Sequence, residues 1–207
     1  MRVTYIDFDG CIGDTLGEIK DAFDIDESFV KEVHNSENIF YVVKKGMDYL
    51  KGTDIDDLGC LMIDFKPFPG AVETVRKLQE YGAVKILTDN PLLALEPIKK
   101  IIKERYHLRD IDDILTSTAP EVVGGRLTGN FVVTSPKDIL LEKDFRENEY
   151  SELYVIIQGV NDIPVARKSK KMGGVVLGVN SNSPELVKLS DRHYPTIFDL
   201  YVQEFEE

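Results

Sequence analysis

Four short apolar runs, rich in β-branched residues, punctuate the chain: Val3–Ile6, Val84–Leu87, Leu153–Ile157 and Gly174–Val179. Each is too short for a globular helix and lacks polar alternation, which predicts strands buried on both faces. Helical spacing fills the intervals. Ala71, Val75 and Leu78 recur on one helical face, and Gly82 stops that run. After Pro97, residues Ile98, Ile101 and Ile102 predict a second helix. Ser135, Pro136 and Asp138 read as the N-cap, first-turn proline and capping acid of a third. Asn161–Lys171 predicts a fourth, with a basic last turn and Gly173 as its stop. The alternation predicts an α/β fold, a Rossmann-like doubly wound parallel sheet with helices on both faces.

Residues 15–66 break the alternation. They read as mostly helical, with interruptions at Asn35–Ser36 and Gly52–Thr53. The expected organisation is therefore an α/β catalytic core of residues 1–14 and 67–207, with residues 15–66 as a small helical cap inserted after the first strand. The stretch EVVGGRLTGNFVV (121–133) predicts a β-hairpin turned by its glycines.

Composition narrows the class. A chain of 207 residues with 43% hydrophobic content can bury a core without staples. A net charge of −12 argues against nucleic acid or an anionic membrane as partner. Any phosphate site must then create its own local positive field. No apolar run approaches the length of a membrane span. Cys11 and Cys60 form no disulfide framework or metal spacing, and the first strand leaves no room for a signal peptide. The expected setting is a reducing, cytoplasmic one.

The chemistry gathers at strand ends, where open parallel sheets bind ligands. The first strand, in VTYIDFDGCIGD, ends on Asp7 and Asp9. Aspartate is a poor strand former and an unpaired buried carboxylate is costly, so two together require compensation. The second strand delivers Thr88, Asp89 and Asn90; the third delivers Gln158, Asn161 and Asp162. A cation between Asp7, Asp9 and Asp162 would compensate the charge. Lys137 falls in the first turn of its helix, where the dipole disfavours a cation unless an anion binds there. Paired carboxylates, a cation and an anion pocket are the parts of metal-assisted phosphoryl transfer.

In this order the residues resemble the haloacid dehalogenase superfamily of phosphohydrolases. DFDG (7–10) is similar to its first motif, Thr88 to its second, Lys137 in SPKDIL to its third, and QGVNDIPVA (158–166) to its fourth. PFPGAVETVRKLQEYG (67–82) and GGRLTGN (124–130) resemble the phosphoserine phosphatase-like branch. The resemblance implies Mg²⁺-dependent hydrolysis of a small phosphorylated metabolite, a phosphomonoester, through an aspartyl-phosphate. Asp7 would be the nucleophile and Asp9 the general acid, then base. Thr88, Asp89, Asn90 and Lys137 would form the phosphate pocket, Lys137 also neutralising the nucleophile. Mg²⁺ would take the Asp7 carboxylate, the Asp9 carbonyl and Asp162, with Gln158 offering an amide oxygen. Phe8 would point into the core. Asp9 sets the chain apart from the dehalogenases, which lack that second aspartate.

Gln158 departs from the pattern, standing where the resemblance implies an acid, so weaker Mg²⁺ binding is expected. Loss of turnover, leaving a phosphate-binding protein, is one alternative; phosphotransfer to an alcohol is another. No arginine occurs between Gly10 and Val75, although the resemblance implies one gripping the substrate carboxylate; Lys20, Lys44 and Lys45 are the substitutes in reach. Phosphoserine is therefore expected to be a poor substrate.

Other features have plainer readings. His34, His107 and His193 are scattered, and RKSKK (167–171) suits a helix C-terminus. The two DIDD clusters, 54–57 and 110–113, suit caps and turns. Cys60–Ile63 predicts the apolar face of a cap helix, with Met62 or Phe65 as alternative pocket lining. Cys11 is expected to pack as a small apolar residue.

Overall fold

The computed structural model describes residues 1–15, 17, 20, 26, 28, 39–181 and 183–206. The expected break at Asn35–Ser36 and His34 lie outside the described residues.

Six parallel strands form one sheet: β1 (Arg2–Ile6), β2 (Ala83–Thr88), β3 (Ile114–Thr116), β6 (Glu152–Ile157), β7 (Val175–Val179) and β8 (Arg192–Tyr194). Their order is β3-β2-β1-β6-β7-β8. The chain winds outward from β1 in one direction through β2 and β3, then returns to β1's other side for β6 to β8. The direction of winding therefore reverses between β1 and β6, which is where such sheets open a crevice at their carboxyl edge. Val3 lies opposite Ala83 on one side and Leu153 on the other.

The period of two along each strand divides the core. Val3, Tyr5, Leu87, Val155, Ile157 and Val176 face a layer that includes α5 (Lys137–Glu147), α6 (Ile163–Lys171) and α7 (Pro184–Leu189). Ile6, Val84, Ile86, Ile156 and Val179 face α3 (Ala71–Tyr81), α4 (Glu96–Tyr106) and α8 (Ile197–Phe205). All four expected strands are present, and β3 and β8 extend the sheet beyond them. Each of those two edges is three residues long. So short a segment carries no periodic signal, and RHY in β8 is polar.

Two helix starts differ from expectation. Helix α5 begins at Lys137 with Pro136 as its cap residue and no capping side chain; Ser135 instead donates its N–H to the Ser117 carbonyl at 3.3 Å. The Asn161–Lys171 segment opens as a 3₁₀ turn, Val160–Asp162, and becomes α-helical only at Ile163.

Between β1 and β2 lie α1 (Ile39–Tyr49) and α2 (Ile55–Ile63), joined through the turn at Gly52–Thr53. The hairpin forms as expected from β4 (Thr118–Val123) and β5 (Arg126–Val133). Its turn places Gly124 and Gly125 at φ 58° and 79°, a left-handed pair that glycine adopts without penalty. The hairpin packs on α1 and α2. Gly52 N–H donates to Leu127 O at 2.8 Å, Leu127 N–H to Thr53 O at 3.0 Å, and Ile55 N–H to Gly125 O at 3.0 Å. Phe40 of α1 stacks on Phe131 at 6.4 Å.

In α2 the buried side chains are Leu58 and Met62, one turn apart, whereas Cys60 and Ile63 are exposed. The contiguous apolar face expected over Cys60–Ile63 is thus reduced by helical geometry to one stripe. Met62 and Phe65 are fully buried, which removes them from any pocket lining. Phe65 packs on Phe8 at 5.5 Å, and Tyr106 meets Phe8 edge-on at 6.0 Å. Among the described residues no helix is long and apolar enough to cross a membrane.

Phe8, 0% exposed, anchors the turn that carries both aspartates. Phe8→Ala is expected to cost about 3–5 kcal/mol, the range for truncating a buried aromatic, measured by urea unfolding.

Candidate active site

Asp7 is the first residue past β1, and its N–H donates to the Ile156 carbonyl at 2.9 Å. That bond carries the β1–β6 ladder one residue further. Strand alternation puts the Asp7 side chain on the Val3–Tyr5 face, beneath the start of α5. Lys137, first in α5 and 7% exposed, reaches down to meet it. Its Nζ lies 3.0 Å from Asp7 Oδ1, 2.5 Å from Asp162 Oδ1 and 3.3 Å from Asp89 Oδ2. The ends of β1, β2 and β6 thus place three carboxylates around one ammonium.

Asp162 works in two directions. Its Oδ2 accepts from the N–H groups of Gln158 (3.1 Å) and Gly159 (3.3 Å), which fixes the exit of β6. Its Oδ1 is buried and touches Lys137 Nζ, but off the axis of a hydrogen bond. One lone-pair direction on a buried carboxylate is therefore left open.

Asp9 occupies a different environment. Its Oδ1 accepts from Thr15 N–H at 3.1 Å and its Oδ2 from Asn90 Nδ2 at 3.0 Å. Asn90 Nδ2 also donates to Thr15 Oγ1, and its Oδ1 accepts from Leu92 N–H, both at 3.0 Å. Asn90 is thus committed on both sides of its amide. Thr88 ends β2, buried, with Oγ1 accepting from Asn90 N–H at 3.0 Å. Asp89 accepts the Ser117 hydroxyl on Oδ1 while Oδ2 faces Lys137.

The pKa directions follow from these surroundings. Burial raises Asp7 well above the ordinary carboxylate range and the Asp162 charge adds to this, while Lys137 pulls the other way. Burial also raises Asp9, opposed by the Asn90 and Thr15 hydrogen bonds. Burial alone would lower Lys137, but its three carboxylate neighbours hold it well above its usual value. The Cys11 thiol is pushed up by burial and by Asp7, and its Sγ faces the Ile156 carbonyl at 4.0 Å. It is a packed, unreactive thiol.

The structure brings Asp7, Asp89, Lys137 and Asp162 into one cluster, with Asp9, Thr88 and Asn90 adjoining it. The Gln158 side chain lies against Gly10, in the turn that carries the two aspartates. Its Nε2 donates to the Asn180 carbonyl at 3.3 Å, and a Cβ added to Gly10 would meet its Oε1 at 2.2 Å. Sequence reasoning missed Ser117 and Thr15. Ser117 follows β3, a strand of three residues that carries no periodic signal to mark its end.

The cluster suits a hard divalent cation. Three carboxylates face one ammonium in a buried site, and the donors are all oxygen. Asp162 Oδ1, buried against the Lys137 ammonium, is an oxygen such a cation could take. Among the described residues no group of three acids, histidines or cysteines forms a ready metal cage. Mg²⁺ does not need one, since it keeps several waters and takes one or two carboxylates. A separate cavity of about 350 Å³, lined in part by Asp54, Asp57 and Arg126, lies between α2 and the hairpin and includes none of these residues.

Solved structures share this fold. A substrate-bound phosphoserine phosphatase complex superposes with a TM-score of 0.76 at 20% identity, covering 99% of this chain and 98% of that one. A phospho-aspartyl intermediate analogue of phosphoserine phosphatase gives 0.75 at 21% identity, with 97% of each chain covered. A HAD family hydrolase from Salmonella enterica serovar Typhi gives 0.73 at 16% identity, covering 99% of this chain and 72% of that one. No family model matches the chain, and no curated protein does. The chain therefore shares the fold of these phosphatases and hydrolases.

Two consequences are measurable. Lys137→Met strips the ammonium that three buried carboxylates share and is expected to cost about 3–5 kcal/mol in chelator-treated protein. A carboxyl held above its unfolded value stabilises most below the ordinary carboxylate range and loses that contribution as pH rises through its folded value. Asp7→Asn is therefore expected to raise the unfolding midpoint over wild type at neutral pH in EDTA. The gain should fade as pH drops toward about 4, near the unfolded carboxylate value.

Proposed function

We propose that this protein is a phosphatase that hydrolyses a small phosphomonoester through an aspartyl-phosphate on Asp7. The observation that carries the reading is the contact of Lys137 with Asp7, Asp89 and Asp162 beside a separately held Asp9. Asp7 attacks phosphorus and the bond to the leaving oxygen breaks. That oxygen takes its proton from Asp9, whose raised pKa suits a donor. Asp9 then draws a proton from the water that cleaves the aspartyl-phosphate. Thr88 and Lys137 hold phosphoryl oxygens, and the Asn90 N–H, which donates to Thr88 Oγ1, sets the orientation of that hydroxyl. Asp7, the Asp9 carbonyl and Asp162 would hold Mg²⁺, which when bound neutralises charge on the nucleophile and the phosphoryl group.

Two carboxylates in unlike surroundings support this division of labour, since nucleophile and acid need opposite protonation states. So does the likeness in fold to a phospho-aspartyl intermediate analogue of a phosphatase. We assign residues 15–66 to a cap over the strand ends, to which the hairpin adds its packing on α1 and α2. Free thiols at Cys11 and Cys60 favour a cytoplasmic setting.

The substrate reading rests on absent arginines. Lys44 of α1 is engaged with Asp48 and donates to Gly129 O at 3.3 Å, and Lys45 lies over the Tyr41 ring at 5.4 Å. Arg126 in the hairpin lies 4.0 Å from Asp54. The two lysines lack the bidentate fork that suits a free amino-acid carboxylate, and Arg126 faces Asp54. The second reading, a phosphate-binding protein without turnover, draws on Gln158 and its commitment to Asn180.

The deciding assay is hydrolysis of p-nitrophenyl phosphate with and without Mg²⁺. Activity is expected only with the metal, to vanish in Asp7→Asn, and to fall about 10²–10⁴-fold in Asp9→Asn, the usual worth of a general acid. Phosphate release undiminished by added alcohols excludes phosphotransfer. In a metabolite screen phosphoserine should rank well below the best substrate. Gln158→Asp should bind Mg²⁺ more tightly by calorimetry; unchanged affinity counts against a cation at this position.

A further inference from the structure

Two charges stand where each alone is penalised. Lys85 lies midway along β2, a strand buried on both faces, and is 7% exposed. Asp144 lies near the C-terminal end of α5, where the helix dipole disfavours a carboxylate. They meet: Lys85 Nζ is 2.8 Å from Asp144 Oδ1. Tyr5 on β1 donates its hydroxyl to Asp144 Oδ2 at 2.7 Å, and Asn148 Nδ2 donates to Oδ1 at 3.1 Å. Tyr5 and Lys85 are direct partners across the β1–β2 ladder, so two central strands grip one side chain. Burial alone would lower Lys85, but its bond to Asp144 outweighs this, and burial raises the Tyr5 hydroxyl.

The placement of this group relates it to the active site. Asp144 follows Lys137 by seven residues, two helical turns along the same face of α5. Tyr5 precedes Asp7 by two residues, on the same face of β1. Helix and strand are thus joined by two polar rungs, Asp7–Lys137 at one end and Tyr5–Asp144 at the other. Between them α5 fully buries only Leu141, with Leu140 and Phe145 partly buried beside it. So thin an apolar seam resists sliding along the helix axis weakly, whereas a charged rung fixes one position.

We infer that Tyr5, Lys85 and Asp144 form a positioning clamp that sets the axial placement of α5, and through it the placement of the Lys137 ammonium against Asp7. The inference rests on the reading of Lys137 as a catalytic group. The three are positioning residues and touch no substrate.

The test replaces the buried pair with apolar groups of similar size, Lys85→Met with Asp144→Leu, a change that leaves stability neutral or improved where an ion pair serves packing alone. Lys137 accessibility is read directly, by the rate of labelling with a lysine-selective acylating reagent, mapped by mass spectrometry. Because the Tyr5 hydroxyl loses its acceptor, the expected result is a cooperatively folded variant with a modestly lowered unfolding midpoint, and Lys137 labelled about tenfold faster through local opening at conditions far from global unfolding. In active enzyme, kcat for p-nitrophenyl phosphate should fall about tenfold with KM unchanged, and the same pair of changes should add nothing in a Lys137→Met background. Unchanged protection of Lys137 overturns the clamp, as does a loss of kcat that adds fully to that of Lys137→Met. If the double variant folds poorly, Tyr5→Phe, which removes one hydroxyl, decides by the same labelling. An inactive wild type would end the phosphatase reading and leave the labelling result to judge the clamp.

Discussion

One buried ammonium facing three carboxylates is the constraint around which the rest is arranged. Removed from water, neither sign is tolerable alone, and only the convergence of distant segments makes the group possible. Lys137 arrives on α5, Asp7 from β1, Asp89 from β2 and Asp162 from the turn after β6. The reversal of winding between β1 and β6 is what places those segments side by side. Fold and cluster are thus one solution: the sheet order makes the crevice, and the opposed charges make the crevice's polar lining affordable.

The two aspartates of the first motif show how neighbours divide labour between like groups. Asp7 faces Lys137, Asp162 and Asp89, whereas the hydrogen bonds to the Asp9 carboxylate come from the neutral donors of Thr15 and Asn90. Phe8 between them is driven into the opposite layer, against Phe65 and Tyr106, so the aromatic core holds the turn from below. A rigid apolar anchor and two polar surroundings thereby separate side chains two residues apart.

Much of this was legible in the sequence, because strand ends and helix starts are local features. Asp7, Asp9, Thr88, Lys137 and Asp162 each sit at such a boundary, and all five lie together or adjoining. What stayed hidden was direction and partnership. Nothing in VKILTDN shows that Asn90 turns toward Asp9 while Asp89 turns toward Lys137. Gln158 occupies a strand end like the others, yet its amide goes to Asn180, a partner supplied by β7. The charge within VKIL was visible, but Asp144, its counterpart, lies 59 positions away. Edge strands β3 and β8 were lost because three residues make no pattern, and Ser117 was lost with them.

The hairpin has a mechanical side. Both of its legs converge on a single residue: Ser117 N–H is bonded to the Thr88 carbonyl at 2.9 Å, and Thr134 N–H to the Ser117 carbonyl at 2.8 Å. Immediately beyond, the Thr118 hydroxyl holds the Asp89 carbonyl at 2.7 Å. The far end of the same ribbon is stitched to α1 and α2. The ribbon therefore ties the outer helices, through backbone hydrogen bonds, to a point one bond from Thr88 and Asp89 at the floor of the crevice.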